Sequence, residues 1–157
     1  MPKPIFKKND LNKIIKDTIN LMKTNDKDIA INLYSKEVYY VNSDIEQLNR
    51  VFINLFKNSI ESLKEKHEKM GDFQKKIDVE IQLINDYINI VVQDNGIGFT
   101  NNDLRIFSKP YFTTKKEGSG LGLSIVEKIL NDHNGFIEFI PQKEGAKIKI
   151  LLPKYVN

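Results

Sequence analysis

The sequence predicts an α+β domain: a two-layer α/β sandwich with three main helices on one face of a mixed, mostly antiparallel sheet. Three observations lead there. Three segments carry apolar residues at helical spacing, and two pairs of extended segments meet at short turns. A chain of 157 residues is also long enough to bury one sizeable two-layer core.

Taken in order, Met1-Pro2-Lys3-Pro4 and Phe6-Lys7-Lys8 read as a linker over residues 1–9, with a single domain over 10–157. Asp10 is placed to cap a helix whose apolar positions are Leu11, Ile14, Ile15, Ile19 and Met22. Two short extended segments follow, around 29–33 and 38–41, with a turn near Ser35-Lys36. Ser43 and Glu46 have the spacing of a capping box. The helix they open carries Leu48, Val51, Phe52, Leu55 and Ser59 on its core face and is expected to fade near His67. Residues 66–75 are polar, contain Gly71 and read as a loop. Segments 77–84 and 87–92 alternate as strands do, with Asn85-Asp86 as a hairpin turn. From Asp94 to Gly122 the chain holds five glycines and a proline with little apolar periodicity, and a loop of that length inside a domain is usually functional. Residues 121–130 return to helix and stop at Asn134-Gly135. A last hairpin joins 136–140 to 146–152 around Lys143-Glu144-Gly145.

Composition excludes several classes. There is no cysteine, so disulfides and thiolate metal sites are absent. The net charge of +3 is spread among interleaved acids and lysines, and Arg50 and Arg105 are the only arginines. Nucleic-acid binding, which calls for a basic face rich in bidentate arginines, is not expected. No apolar run has the length of a membrane span, so the chain is not expected to be membrane-embedded, and a cytoplasmic location is expected.

Three segments carry chemistry. In Asn54-Leu55-Phe56-Lys57-Asn58-Ser59-Ile60-Glu61, residues Asn54, Asn58 and Glu61 fall on one helical stripe beside the core face. They are either polar edge positions or oxygen donors for a hard cation such as magnesium. In Val91-Val92-Gln93-Asp94-Asn95-Gly96-Ile97-Gly98-Phe99 a strand runs straight into Asp-x-Gly-x-Gly. This is either a glycine-rich turn or a carboxylate set to accept from the exocyclic amine of adenine, with the glycines letting the ring approach. It lacks the acidic ligands of an EF-hand loop. In Gly118-Ser119-Gly120-Leu121-Gly122-Leu123-Ser124 a glycine-rich loop opens a helix, which presents amide donors to phosphate oxygens. It follows a loop, unlike a dinucleotide fingerprint, and lacks the Gly-Lys-Ser/Thr of a P-loop.

The order of the three, an Asn-bearing helix, then Asp-x-Gly-x-Gly, then Gly-x-Gly-x-Gly, resembles the Bergerat ATP-binding fold over about residues 11–152. That superfamily includes histidine kinases, type II topoisomerases, mismatch-repair proteins of the MutL kind and chaperones of the 90-kilodalton heat-shock class. The stretch Gln47 to Ser59 resembles a kinase N box, and Lys109-Pro110-Tyr111-Phe112-Thr113-Thr114-Lys115 before Gly118 resembles the lid of nitrogen-regulation-class sensor histidine kinases. The F box of such kinases usually has Phe two residues before that proline. This chain has Ser108 there, with Phe107 one position earlier.

The resemblance implies ATP and Mg2+ as cofactors. It implies Asn58 as the magnesium ligand and Asp94 as the adenine reader, with Gly96, Ile97, Gly98 and Phe99 around the base. Gly118, Ser119, Gly120, Leu121, Gly122 and Leu123 would cradle phosphates. Lys57, Glu61, Thr113, Thr114 and Lys115 would complete the nucleotide contacts, and Gly145 would sit near the nucleotide. Asn54, Asn58 and Lys115 are the expected catalytic set, and residues 99–117 a lid ordered by nucleotide. The phosphate acceptor would be a histidine on a separate dimerisation domain of the same kinase, and a response-regulator receiver domain the indirect partner. Neither His67 nor His133 resembles that acceptor, and surface or capping roles are expected for both. A serine-kinase anti-sigma factor or a nucleotide-binding regulatory module without transfer are the competing expectations. Topoisomerase and chaperone ATPases would place a glutamate at Asn54. The acceptor hairpin is expected either ahead of Pro2 in a longer parent protein or on another chain, with any membrane anchor outside this chain.

Overall fold

A computed structural model describes residues 2–98 and 122–157. The elements are β1 (Lys7–Asp10), α1 (Leu11–Asn25), β2 (Ala30–Ser35), β3 (Tyr40–Ser43), α2 (Ile45–Met70), β4 (Lys76–Ile84), β5 (Tyr87–Asp94), α3 (Gly122–Asp132), β6 (Phe136–Ile140) and β7 (Lys147–Pro153).

The Asp10 carboxylate accepts from the Lys13 amide at 3.0 Å and starts α1, whose Leu11, Ile14, Ile15, Ile19 and Met22 are all buried. At α2 the cap is Asp44, whose carboxylate accepts from the Gln47 amide at 3.2 Å. Ser43 does not cap, because its hydroxyl is buried and accepts from the Asn9 side-chain amide at 3.0 Å. The helix runs beyond His67 to Met70, and an ion pair of Lys69 with Glu65 at 3.2 Å spans its last turns. The expected loop therefore shortens to 71–75, opened by Gly71 at φ +84°.

Lys7, Lys8 and Asn9, read as linker from the sequence, belong to a strand: β1 pairs antiparallel with β3 in a two-stranded sheet. The other five strands form one sheet in the order β2-β4-β5-β7-β6, with β2 parallel to β4 and the remaining pairs antiparallel. Asn85, at φ +56°, turns the β4–β5 hairpin. Strand alternation sends Ile31, Ile77, Val79, Ile81, Ile88, Ile90, Val92, Ile148, Ile150 and Leu152 to one face, where all are buried in a core shared with the helices. Residues such as Glu80, Gln93, Lys147 and Lys149 alternate with them and are at least partly exposed. The two layers are thus one sheet and three helices, α2 packing against both α1 and α3.

The chain leaves α3 through Asn134 at φ +57° and the Gly135 amide, which donates to the Leu130 carbonyl at 2.7 Å. A Cβ on Gly135 would stand 2.7 Å from the Leu151 carbonyl oxygen, so glycine is what lets β6 pass β7 here. Among the described residues no helix is long and apolar enough to cross a membrane.

Candidate functional site

Helix α2 is the platform on which the site is assembled. Asn54 and Asn58 are half-buried on it, while Lys57 and Glu61 are exposed. One turn after Asn58 the buried Ser62 receives the loop that follows β5. Its carbonyl accepts from the Ile97 amide at 3.2 Å, and its Oγ accepts from the Gly98 amide, also at 3.2 Å.

Asp94 ends β5 and is 4% exposed. Its Oδ1 accepts two backbone amides, from Gly96 at 2.9 Å and Ala146 at 3.3 Å, and its own amide donates to the Ala146 carbonyl at 3.0 Å. Two donors on one oxygen fix the plane of the carboxylate. A carboxylate has about four acceptor sites, so these two amides do not by themselves exhaust it. The adjoining loop is braced by Asn95, whose side chain accepts from the Lys76 amide at 2.9 Å and donates to the Gln74 carbonyl at 2.7 Å. Lys66 donates to the Asn95 carbonyl at 2.8 Å.

The glycines of this loop also serve close backbone packing. A Cβ on Gly96 would run into the Ser62 hydroxyl and stand 2.7 Å from the Ser62 carbonyl carbon. A Cβ on Gly98 (φ +76°) would run into the Gly145 carbonyl, and one on Gly145 (φ +72°) into the Asp94 carbonyl. On the side where a Cβ would stand, Gly96 and Gly98 thus meet backbone from α2 and from the β6–β7 turn. These glycines let three segments close on one another and hold Asp94 rigid.

Gly122 opens α3 opposite α2, and a Cβ there would lie 4.0 Å from Cγ of Asn54. The first turn of α3 thus faces the Asn stripe, with Leu123 packed on the core. The structure brings together Asn54, Asn58, Asp94, Gly96, Ile97, Gly98, Gly122 and Leu123 around one side of α2. Phe99, Thr113, Thr114, Lys115, Gly118, Ser119, Gly120 and Leu121, with the expected lid, lie outside the described residues.

Sequence reasoning missed Ser62, although its place one helical turn after Asn58 was visible. It also misjudged His133, which is buried rather than at the surface, with Nδ1 2.8 Å from the Ile129 carbonyl and Nε2 accepting the Asp44 amide at 3.1 Å. The capping part of that expectation fits, since His133 closes the end of α3. His67 is more open, with Nδ1 3.3 Å from Asp72 near the end of α2.

Residues 43–156 match the family described as histidine kinase-, DNA gyrase B- and HSP90-like ATPase. Sporulation kinase A of Bacillus subtilis is 34% identical over 122 residues, which cover 77% of this chain and 19% of the kinase. Nitrogen regulation protein NtrY of Azorhizobium caulinodans is 29% identical over 154 residues, 97% of this chain and 20% of that protein. The chain therefore spans about a fifth of the length of these relatives. The solved catalytic domain of histidine kinase ThkA, in a nucleotide-free form, superposes with a TM-score of 0.82 at 25% identity, covering 96% of both chains. With its Asn-bearing helix, its locked Asp94 and these matches, the chain belongs to the histidine kinase-, DNA gyrase B- and HSP90-like ATPase family, on its sensor-histidine-kinase side.

Proposed function

We propose that the domain binds Mg-ATP and donates the γ-phosphate to a histidine on a separate dimerisation domain, from which a response-regulator receiver domain takes it. The observation that carries the reading is the rigid Asp94 carboxylate set beside an Asn-bearing helix and the start of α3. Such a site positions a nucleotide and supplies little covalent chemistry, which is what phosphoryl transfer asks of a protein.

In this reading Asp94 accepts from the adenine amine while its Oδ1 stays tied to Gly96 and Ala146. Asn58 offers an amide oxygen to magnesium. Among the described residues no three acids or histidines cluster as a metal cage. A lone amide suits magnesium, which keeps waters and takes substrate phosphates in place of a full protein shell. Magnesium, when bound, supplies positive charge against the triphosphate. The amides at the start of α3, Gly122 and Leu123, face the same phosphates, and the exposed Lys57 and Glu61 border them. Transfer breaks the bond from the γ-phosphorus to the β–γ bridging oxygen and forms one from phosphorus to an imidazole nitrogen, with ADP leaving. Lys115 is proposed to neutralise charge on the γ-phosphate, with Thr113 and Thr114 beside it.

Asn58→Ala is expected to weaken ATP binding by about tenfold, one decade per 1.4 kcal/mol, when magnesium is present. It should change binding little in excess chelator. Calorimetric titration in both conditions checks this. An equal loss with and without magnesium would place Asn58 on the nucleotide itself and not on the ion.

A further inference from the structure

The α2–α3 pair is held at two ends. At one end Gly122 faces Asn54. At the other, His133 follows the last turn of α3 and meets Asp44, the cap of α2. The helices are antiparallel, and about 14 to 17 Å of helix separates the two points at 1.5 Å per residue.

The His133 joint is fully specified. A carbonyl accepts and an amide donates, so the partners Ile129 and Asp44 put the proton on Nδ1 and leave Nε2 as the acceptor. The ring is 4% exposed and held at both nitrogens. The same joint holds the segment that enters the domain. The Asp44 carboxylate accepts the Ile5 amide at 2.9 Å, a bond that holds its carboxyl below the ordinary carboxylate range. The Phe6 ring meets the His133 ring edge-on, centroids 5.0 Å apart. The Gln47 side-chain amide donates to the Pro2 carbonyl at 3.4 Å, while its buried Oε1 has no donor among the described residues. Residues 2–6, the start of α2 and the end of α3 therefore meet at one polar point.

We propose that His133 is a positioning residue for the nucleotide site, coupling the segment 2–6 to the Asn54–Gly122 end through the α2–α3 pair. The inference rests on the nucleotide-binding reading above. Between the two points Leu48, Phe52, Val126, Ile129 and Leu130 are all buried in the common core. An interior packed at crystal density passes a shift along and does not absorb it. A displacement of Phe6 or Ile5 alters the His133–Asp44 joint, and the spacing between α2 and α3 changes where Asn54 faces Gly122. Coupling between sites is reciprocal, so nucleotide at the far end must also be felt at His133.

The test uses the whole chain, magnesium and a nonhydrolysable ATP analogue. Phe6→Ala disturbs the joint from its exposed side, since Phe6 is 41% exposed, and so leaves the core hydrogen bonds in place. His133→Ala removes the joint itself. Analogue affinity is expected to fall by about 3- to 30-fold in both variants, the range of couplings carried by packed networks. The His133 ring nitrogen and Asp44 amide resonances of the unsubstituted chain are expected to move on saturation. If His133→Ala does not fold, Phe6→Ala and the resonances still decide. Unchanged affinity in Phe6→Ala together with motionless His133 and Asp44 signals would overturn the coupling and leave His133 a structural joint. No analogue binding by the unsubstituted chain would instead overturn the nucleotide reading, and the coupling with it.

Discussion

Asp94→Asn is expected to weaken ATP and ADP binding alike by roughly 10- to 150-fold. A charge-assisted hydrogen bond to the adenine amine contributes about 1.5–3 kcal/mol, and 1.4 kcal/mol is one decade. The substitution is informative because of how Asp94 is held. Its Oδ1 takes the Gly96 and Ala146 amides, and an asparagine oxygen can take both in the same place. The other position becomes an NH2 donor facing the donor amine of adenine, so recognition is lost while the loop stays braced. Asp94→Ala also strands the two backbone amides, at about 1–3 kcal/mol for each group left unsatisfied. It should therefore lower the melting temperature, and Asp94→Asn should lower it far less. Titration calorimetry with ADP, set beside thermal melts, separates the two effects. Undiminished ADP affinity in Asp94→Asn would remove Asp94 from the site.

The second large effect is expected at Gly145. Its φ of +72° costs a residue with a side chain about 1–2 kcal/mol, and the added Cβ would collide with the Asp94 carbonyl. Backbone cannot rotate away as a flexible side chain can, so β5 and the β6–β7 turn must part. Gly145→Ala should lower the melting temperature by at least about 4 °C, since about 1 kcal/mol moves a domain of this size by about 2–4 °C. It should also weaken ADP binding, because the displaced carbonyl belongs to Asp94. Gly71→Ala is the control. Gly71 has φ +84° but nothing within 4 Å of its Cβ position, so it incurs the backbone strain alone and ADP affinity should hold. Equal ADP affinity in Gly145→Ala and the unsubstituted chain would show that the turn does not shape the site.

What the sequence disclosed follows the reach of the interactions involved. The Asp10 cap, the Leu11–Met22 stripe, the Asn85-Asp86 turn and the Asn134-Gly135 stop each depend on residues a few positions apart, and all appear as read. Pairing of β1 with β3 depends on contacts such as Lys7 with Ser43, and the parallel β2–β4 pair on contacts such as Ala30 with Lys76. No local pattern encodes such partners, so the sequence alone reads residues 7–9 as linker. The cap of α2 moved from Ser43 to Asp44 for the same reason: Asn9, far back in the chain, occupies the Ser43 hydroxyl. At the site, Asp94 and the Asn stripe were visible as residue types at set spacings. The role of Ser62 and the burial of His133 were not, because each is decided by a backbone amide that tertiary packing delivers, Gly98 in one case and Asp44 in the other.

Asn54 bears on what the domain does with ATP once bound. Hydrolysis needs a group that orients and deprotonates water, which a carboxylate can do and a neutral amide cannot. Glu61 lies on the same stripe but nearly two turns further along α2, too far to stand in for it. His133 is buried with both ring nitrogens engaged and so is not offered to a γ-phosphate, and His67 sits at a helix end beside Asp72. The most direct measurement is incubation with γ-labelled ATP and magnesium, with the domain alone and then with the separately expressed histidine-bearing hairpin that the proposed function calls for. Label on the hairpin only, with slow release of free phosphate throughout, is the predicted result. Stable label on His67 or His133, or phosphate release by the domain alone well above about 1 s⁻¹, the low end of ordinary enzyme turnover, would contradict the account.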